Sequence, residues 1–235
     1  DYGAVTVQVR RHLADGPFGV MIANANPFET AWYMRGFERL LMDFVEAPDL
    51  AHAILRHATD FHCEHFRRML SAGEGGIDLA FTSDDIGGQN GLLMSLDMWA
   101  EFIKPCHERI NRIVHGAGAR VIYHSDGAVM DAVPGLMDMG IDILQALQFD
   151  AAGMDPVRLK GDYGDRLCFQ GGVSVQHTLP FGTAAEVAEE VRQRIAVLGD
   201  GGGYILGPSH VIQAGTPPEN IAAMLDVVET YYPFA

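Results

Sequence analysis

The sequence predicts an α/β fold of the (β/α)8, TIM-barrel type, with fewer than eight of its units in view. Three observations predict it. Short, nearly continuous apolar runs recur six times along the chain, as in strands buried on both faces of a parallel sheet. Longer stretches between them carry apolar residues three and four apart, which is helical spacing. Glycines, prolines and capping residues punctuate the two kinds of segment. Repeated βα units imply right-handed crossovers, and eight such units close a barrel. Six are visible, so either the barrel is incomplete or its first strands lie outside this sequence.

Element by element, "YGAVTVQV" (2–9) reads as one further strand, and "FGVMIANA" (18–25) as the first clear one. Then comes "GFERLLMDFVEAPDLAHAILRHATDFHCEHFRRMLSAG", expected to be two helices divided before Pro48. "IDLAFTS" (77–83) is the next strand. "SLDMWAEFIKPCHERINRIVHGAG" is helical, with Ser95 as N-cap and Pro105 kinking it or dividing it in two. "RVIYH" (120–124), "IDILQAL" (141–147), "RLCFQGG" (166–172) and "GYILGP" (203–208) are strands. "TAAEVAEEVRQRIAVLG" is an amphipathic helix with a Thr183–Glu186 capping box. "PPENIAAMLDVVETYY" is a helix opened by proline. No repeat of fixed period, low-complexity tract or linker interrupts residues 1–235, so a single barrel domain is expected.

Composition narrows the partners. The chain carries 31 acidic and 16 basic residues, a formal charge of −15. That field repels nucleic acid and anionic membranes at long range. No run is long enough for a transmembrane helix, and no signal peptide is seen. The three cysteines form no CxxC pair, which suits free thiols in a reducing cytoplasm. No Walker motif and no Gly-x-Ser-x-Gly elbow occur, and "GDGGGY" (199–204) reads as a turn.

In a βα barrel, functional side chains sit at the carboxyl ends of the strands. That rule selects Asp84, Asp85 and Gln89 after the second clear strand, His124 and Asp126 after the third, and Gln145 and Gln148 at the fourth. It adds Gln170 at the fifth and His210 at the sixth. Each has a plainer reading. Asp84 or Asp85 can cap a turn, Gln148 and Gln170 can satisfy backbone groups, and His210 can be a loop residue. Jointly they would converge on one mouth. His124, Asp126 and His210 offer two nitrogens and an oxygen, enough for a three-ligand metal site with an open position. Without metal, Asp85 and His210 could act as acid–base groups. His62 and His65 in "HCEH" are three apart on a helix, and a solvated outer face is the expected reading. Cys106 is a weak nucleophile candidate.

The residues also carry a resemblance. "MRGFERLLMDF", "DDIGGQNGLLMS", "FIKPCHERI", "HSDG", "GMDPVRLKGDYGDRLCFQGGV" and "GGGYILGPSHVIQAGTPPENI" together resemble the uroporphyrinogen decarboxylase superfamily, in order and over nearly the whole chain. The resemblance implies a (β/α)8 barrel of which this chain is the carboxyl-terminal two-thirds. It implies one of two chemistries. One is cofactor-free decarboxylation of uroporphyrinogen; the other is methyl transfer to or from a corrinoid, usually with zinc. Asp85 matches the decarboxylases' single aspartate, but their amino-terminal arginine region has no counterpart here. The methyltransferase branch carries His-x-Cys where this chain has His124 and Asp126, and a later Cys where it has His210. Exchanging thiolates for a carboxylate and an imidazole hardens the site and favours oxygen ligands.

The expectation is therefore a zinc-assisted methyltransferase acting on an O-methyl or similar compound with a corrinoid protein. Asp85, His124 and His210 would be catalytic, and His124, Asp126 and His210 would hold the metal. Asp84, Gln89, Gln148 and Gln170 would bind substrate. A porphyrinogen-type decarboxylase is the alternative, disfavoured because no Lys or Arg lies among these strand-end residues to meet a polycarboxylate. A catalytically inactive barrel fragment acting as a binding module is the third reading. Superfamily members are often dimers, so a homodimer is also expected.

Overall fold

The structure is a computed structural model that describes residues 2–16 and 18–231. The chain opens with α1 (Gly3–Asp15), then β1 (Met21–Ala25), α2 (Pro27–Arg35), α3 (Phe37–Glu46) and α4 (Pro48–Ala72). Next come β2 (Leu79–Ser83), the short ribbon β3 (Gly87–Gly88) and β4 (Gly91–Leu92), then α5 (Leu96–Phe102) and α6 (Lys104–Gly116). β5 (Arg120–His124), α7 (Val133–Asp138), β6 (Ile143–Ala146), α8 (Pro156–Tyr163) and β7 (Cys168–Val173) follow. The chain continues through α9 (Thr178–Phe181), α10 (Ala184–Leu198), β8 (Tyr204–Pro208) and α11 (Pro218–Tyr231).

All six clear strands of the sequence form, in one sheet ordered β1-β2-β5-β6-β7-β8. Pairings β1–β2, β2–β5 and β7–β8 are parallel. The order ends at β1 and at β8, and no described strand joins them, so the barrel is not closed. One expectation fails: residues 2–9 are not a strand but the start of α1. Its β-branched residues suit a strand locally, yet α1 packs on α4 and buries Val9, and packing overrides propensity.

The punctuation is where the sequence put it. Pro48 opens α4 after a break at Ala47, and Ile103 separates α5 from α6 just before Pro105. The Ser95 hydroxyl accepts the Met98 amide at 3.2 Å. In the capping box, the Glu186 carboxylate accepts the Thr183 amide at 2.7 Å and the Thr183 hydroxyl accepts the Glu186 amide at 3.3 Å. The 199–204 segment is a turn whose Gly201, Gly202 and Gly203 all take positive φ.

The chain divides into two compact units. The first takes in the chain through Ile86, then Leu92–Ser125 and Asp131–Ile143. Its core includes Phe28, Leu40, Leu55, Phe66, Ile103, Ile110 and Tyr123, with Phe44 stacked on Phe102 at 4.3 Å. The second comprises Gly87–Gly91, Asp126–Met130 and the chain from Leu144. There Val173, Leu179, Val187, Val191, Met224 and Val227 form the core. Each buried side chain of this size contributes about 1.5–3 kcal/mol.

Candidate active site

In the first unit, the β2–β5 register sets Ser83 level with His124. The Asp84 amide donates to the His124 carbonyl at 3.1 Å, which carries the ladder one residue past the strand. Asp84 and Asp85 therefore leave β2 beside the end of β5. Asp84 is fully buried. Its Oδ1 accepts the Glu29 amide at 2.8 Å, and its Oδ2 accepts the Phe28 amide at 3.0 Å and His107 Nε2 at 2.6 Å. A carboxylate at the first turn of α2 satisfies amides with no helical partner and meets the positive end of the helix dipole. Burial pushes the Asp84 carboxyl above its ordinary value, while His107 and the two amides draw it back. The Tyr123 hydroxyl donates to the Asp84 carbonyl at 3.0 Å. Burial, then the nearby carboxylates, raises the Tyr123 phenol far above its usual value, so it remains a neutral donor.

Asp85 is only half-buried. Its Oδ1 lies 3.7 Å from His124 Nε2, beyond hydrogen-bond range but close enough for charge to be felt. Glu29 stands beside it. The Asn26 amide donates to Glu29 Oε2 at 2.8 Å, and the Asp85 backbone N–H also bonds the Glu29 carboxyl. Burial raises the Glu29 pKa, and the charges of Asp84 and Asp85 raise it further against the pull of Asn26.

In the second unit, Asp126 Oδ2 lies 3.8 Å from His210 Nε2, with side-chain exposures of 31% and 41%. His210 is delivered by β8, whose last residue, Pro208, pairs with Val173; the Ser209 amide then donates to the Val173 carbonyl at 2.7 Å. His124 lies two residues before Asp126 on the chain, and one donor atom from each of His124, Asp126 and His210 falls within 4.8 Å of the others. Gly127 completes the turn at φ +83°, and a Cβ there would sit 2.6 Å from the Gly87 carbonyl carbon and from the Gly87 and Gly88 oxygens. Only glycine tolerates both the backbone and the approach. Gln148 fixes the same turn: its buried Oε1 accepts the Gly127 amide at 2.8 Å and Gln89 Nε2 at 3.2 Å. Just before it, Ala146 and Leu147 hold positive φ at 97° and 54°, a strained strand end.

The strand-end residues thus fall into three sets: Asp85 beside His124, Asp126 beside His210, and Gln89 bonded to Gln148. Gln170 stands half-buried on β7, apart from these contacts. Asp84 and Gln148 are buried, and each accepts backbone amide and side-chain donors. The "HCEH" helix departs from expectation. His62 is not solvated but buried, with Nε2 3.0 Å from the Thr30 hydroxyl, and burial, then His107 and His65, push its pKa down to about 4. The α4 face that carries it packs against α2. Burial drives the Cys106 thiol up to about 11, which removes it as a nucleophile. Two further polar residues join this network. Glu29 follows β1, as the strand-end rule requires, but lies four residues past the strand's last residue, Ala25. His107 sits inside α6, where no local pattern marks it.

The sequence profile of the family described as "Uroporphyrinogen decarboxylase (URO-D)" matches residues 5–231. Among curated relatives, a methylated-thiol–coenzyme M methyltransferase of Methanosarcina mazei is 26% identical, over 94% of this chain and 55% of its own length. A uroporphyrinogen decarboxylase of Aromatoleum aromaticum is 23% identical, over 95% of this chain and 62% of its own. The chain therefore spans a little over half the length of such relatives. A solved methyltransferase structure from Methanosarcina mazei superposes with a TM-score of 0.77 at 21% identity, covering 97% of this chain and 63% of that one.

Proposed function

Because the chain belongs to the uroporphyrinogen decarboxylase (URO-D) family, we propose that it is a metal-assisted methyltransferase. It moves a methyl group between a small O-methyl or similar substrate and a corrinoid carried by a partner protein. The observation that carries this reading is the His124–Asp126–His210 group. Its donors are two imidazole nitrogens and one carboxylate oxygen, a set that suits zinc and leaves a coordination position for substrate. The 3.8 Å between Asp126 and His210 is close to the roughly 3.4 Å that separates neighbouring ligands around a tetrahedral zinc. Zinc held there supplies Lewis acidity toward the substrate oxygen that gives up its methyl group.

The chain's own residues do the rest. Asp85 sets the electrostatics next to His124. Asp84 and Gln148 hold the two loop ends rigid, and Gln89 and Gln170 orient polar substrate groups. The donor set, free of thiolate, favours an oxygen-linked methyl group over a thiol-linked one. The lack of arginine among these residues, and the charge of −15, disfavour a polycarboxylate substrate. One observation favours a second reading, decarboxylation: Asp85 is a half-buried carboxylate at the position that the decarboxylase resemblance assigns to its aspartate.

Elemental analysis of purified protein never exposed to chelator separates the two. Near-stoichiometric zinc in the wild type, lost in His124→Ala, Asp126→Ala and His210→Ala, is expected. A wild-type protein without metal sinks the methyltransferase reading and moves decarboxylation to the front.

A further inference from the structure

We propose a second binding site on this chain: a cavity between α9 and α10 that takes a linear diamine or polyamine, with one ammonium group donating to Glu190. The cavity belongs to the second unit, and its volume is about 610 Å³. Small-molecule sites span roughly 300–1,000 Å³. Asp150, Phe181, Glu186, Glu189, Glu190 and Arg194 line it, and none of the residues assigned to methyl transfer does. The inference stands apart from that reading.

Glu190 is the first reason. Its side chain is nine-tenths buried, with 10% exposure. Its Oε1 accepts the Ser174 amide at 3.2 Å and Arg194 Nη2 at 2.8 Å. Its Oε2 is buried and has no hydrogen-bond partner among the described residues. A carboxylate oxygen withdrawn from water without a donor is costly, and a ligand that brings an N–H removes that cost. Charge is the second reason. Four carboxylates line the cavity, against the Arg194 guanidinium and the His177 imidazole. Arg194 is already engaged: its Nε donates to the Gly172 carbonyl at 2.8 Å, its Nη2 bonds Glu190, and its guanidinium lies 4.7 Å over the Phe149 ring. Glu189 has Arg192 at 3.7 Å. Asp150 and Glu186 accept neutral donors instead. The Ser174 hydroxyl bonds Asp150 at 2.6 Å, and the Thr183 amide and hydroxyl bond Glu186 at 2.7 and 2.8 Å. Unbalanced negative charge in a concave place draws a cation.

The third reason is the spread of the carboxylates, which decides what kind of cation fits. Among the described residues, the His124 group brings three donors within 4.8 Å of one another; the carboxylates of this cavity are not so gathered. A metal ion needs ligands converging on one point. Here Glu186 and Glu190 stand one turn apart on the same face of α10. One turn rises roughly 5–6 Å along the axis, so their charges are strung out rather than focused. A chain with an ammonium at each end meets such a row, whereas a point charge meets one member of it. Phe181 supplies the remaining feature. At 83% exposure its ring is open beside these carboxylates, and an aromatic face attracts an ammonium and covers a methylene stem.

Titration calorimetry with 1,4-diaminobutane, spermidine, n-butylamine and magnesium chloride tests it. A background of roughly 0.15 M salt screens general attraction to the charge of −15. Saturable binding of one 1,4-diaminobutane or spermidine per chain is expected, with n-butylamine weaker. Glu190→Gln keeps the oxygen that the Ser174 amide and Arg194 need and removes the charge; it should weaken binding about tenfold or more. Phe181→Ala should weaken it about threefold. That exposed position carries the test if Glu190→Gln does not fold, as circular dichroism would show. The inference is overturned if neither diamine nor polyamine saturates, or if the folded variants bind as the wild type does. It is equally overturned if n-butylamine binds as tightly as the diamine, or if magnesium displaces the diamine at equal ionic strength.

Discussion

Asp84 accepts three hydrogen bonds while fully buried, so what it holds can be read from what its loss would strand. Asp84→Ala leaves the Phe28 and Glu29 amides and His107 Nε2 without a partner in a dry core. A loss of about 3–5 kcal/mol is expected, measured as a fall in the urea midpoint. His62 gives a pH-dependent counterpart. Its folded pKa of about 4 lies below the reference value of 6.5. Above pH 6.5 both folded and unfolded chains hold it neutral and its contribution is complete. Between 6.5 and about 4 the unfolded chain binds a proton that the folded one refuses, so stability falls as pH falls, by about 3 kcal/mol in all. Denaturation curves across that window should flatten in His62→Gln; an unchanged slope would assign the acid sensitivity to other groups.

At the scale of elements, turns and caps divide the work differently. Gly127 and Gly153 both hold positive φ, 83° and 73°, but only at Gly127 would a Cβ collide with backbone. Gly153→Ala should therefore cost about 1 kcal/mol, the left-handed strain alone, and Gly127→Ala clearly more, because the ribbon at Gly87–Gly88 must move. Thermal unfolding of the pair checks this ordering, and equal losses would show that the close approach does not matter. Thr183→Ala opens the capping box of α10 and should cost about 1 kcal/mol with no effect on metal content. The same element logic explains which parts were legible. Strands buried on both faces announce themselves as apolar runs, and Pro48, Ser95, Pro105 and Thr183 mark helix ends by chemistry that acts within four residues. Residues 2–9 misled because Val5, Thr6, Val7 and Val9 suit a strand in isolation, and only docking on α4 makes them helical.

At the scale of the molecule, an open sheet has two edges, and exposed edges invite pairing. The charge of −15 opposes that pairing between copies. Salt screens the repulsion and leaves edge hydrogen bonds and apolar contact intact. Light scattering should therefore show self-association rising between low and high ionic strength. Ile205→Lys, on the exposed side of β8, should reduce it. Scattering insensitive to both would mean that the edges are protected. No described helix is long and apolar enough to cross a membrane.

By itself the sequence determined the α/β class, the six strands, most helix boundaries, the family and the His124–Asp126–His210 metal candidates. All of these depend on periodicity, on local capping or on the rule that chemistry gathers where parallel strands end. Only the tertiary structure decided which strand-end residues are buried and which groups they bond. Asp84 and Gln148 stand at strand ends in one dimension, and only the fold shows that both are buried and accept backbone amides together with a side-chain donor. His62 looks solvated and is buried. His107 has no local signature, because its partner Asp84 is 23 residues away in the chain. The physical reason is the same in each case. Hydrogen bonding and desolvation depend on which segments fold together, and that information is not local to any stretch of sequence.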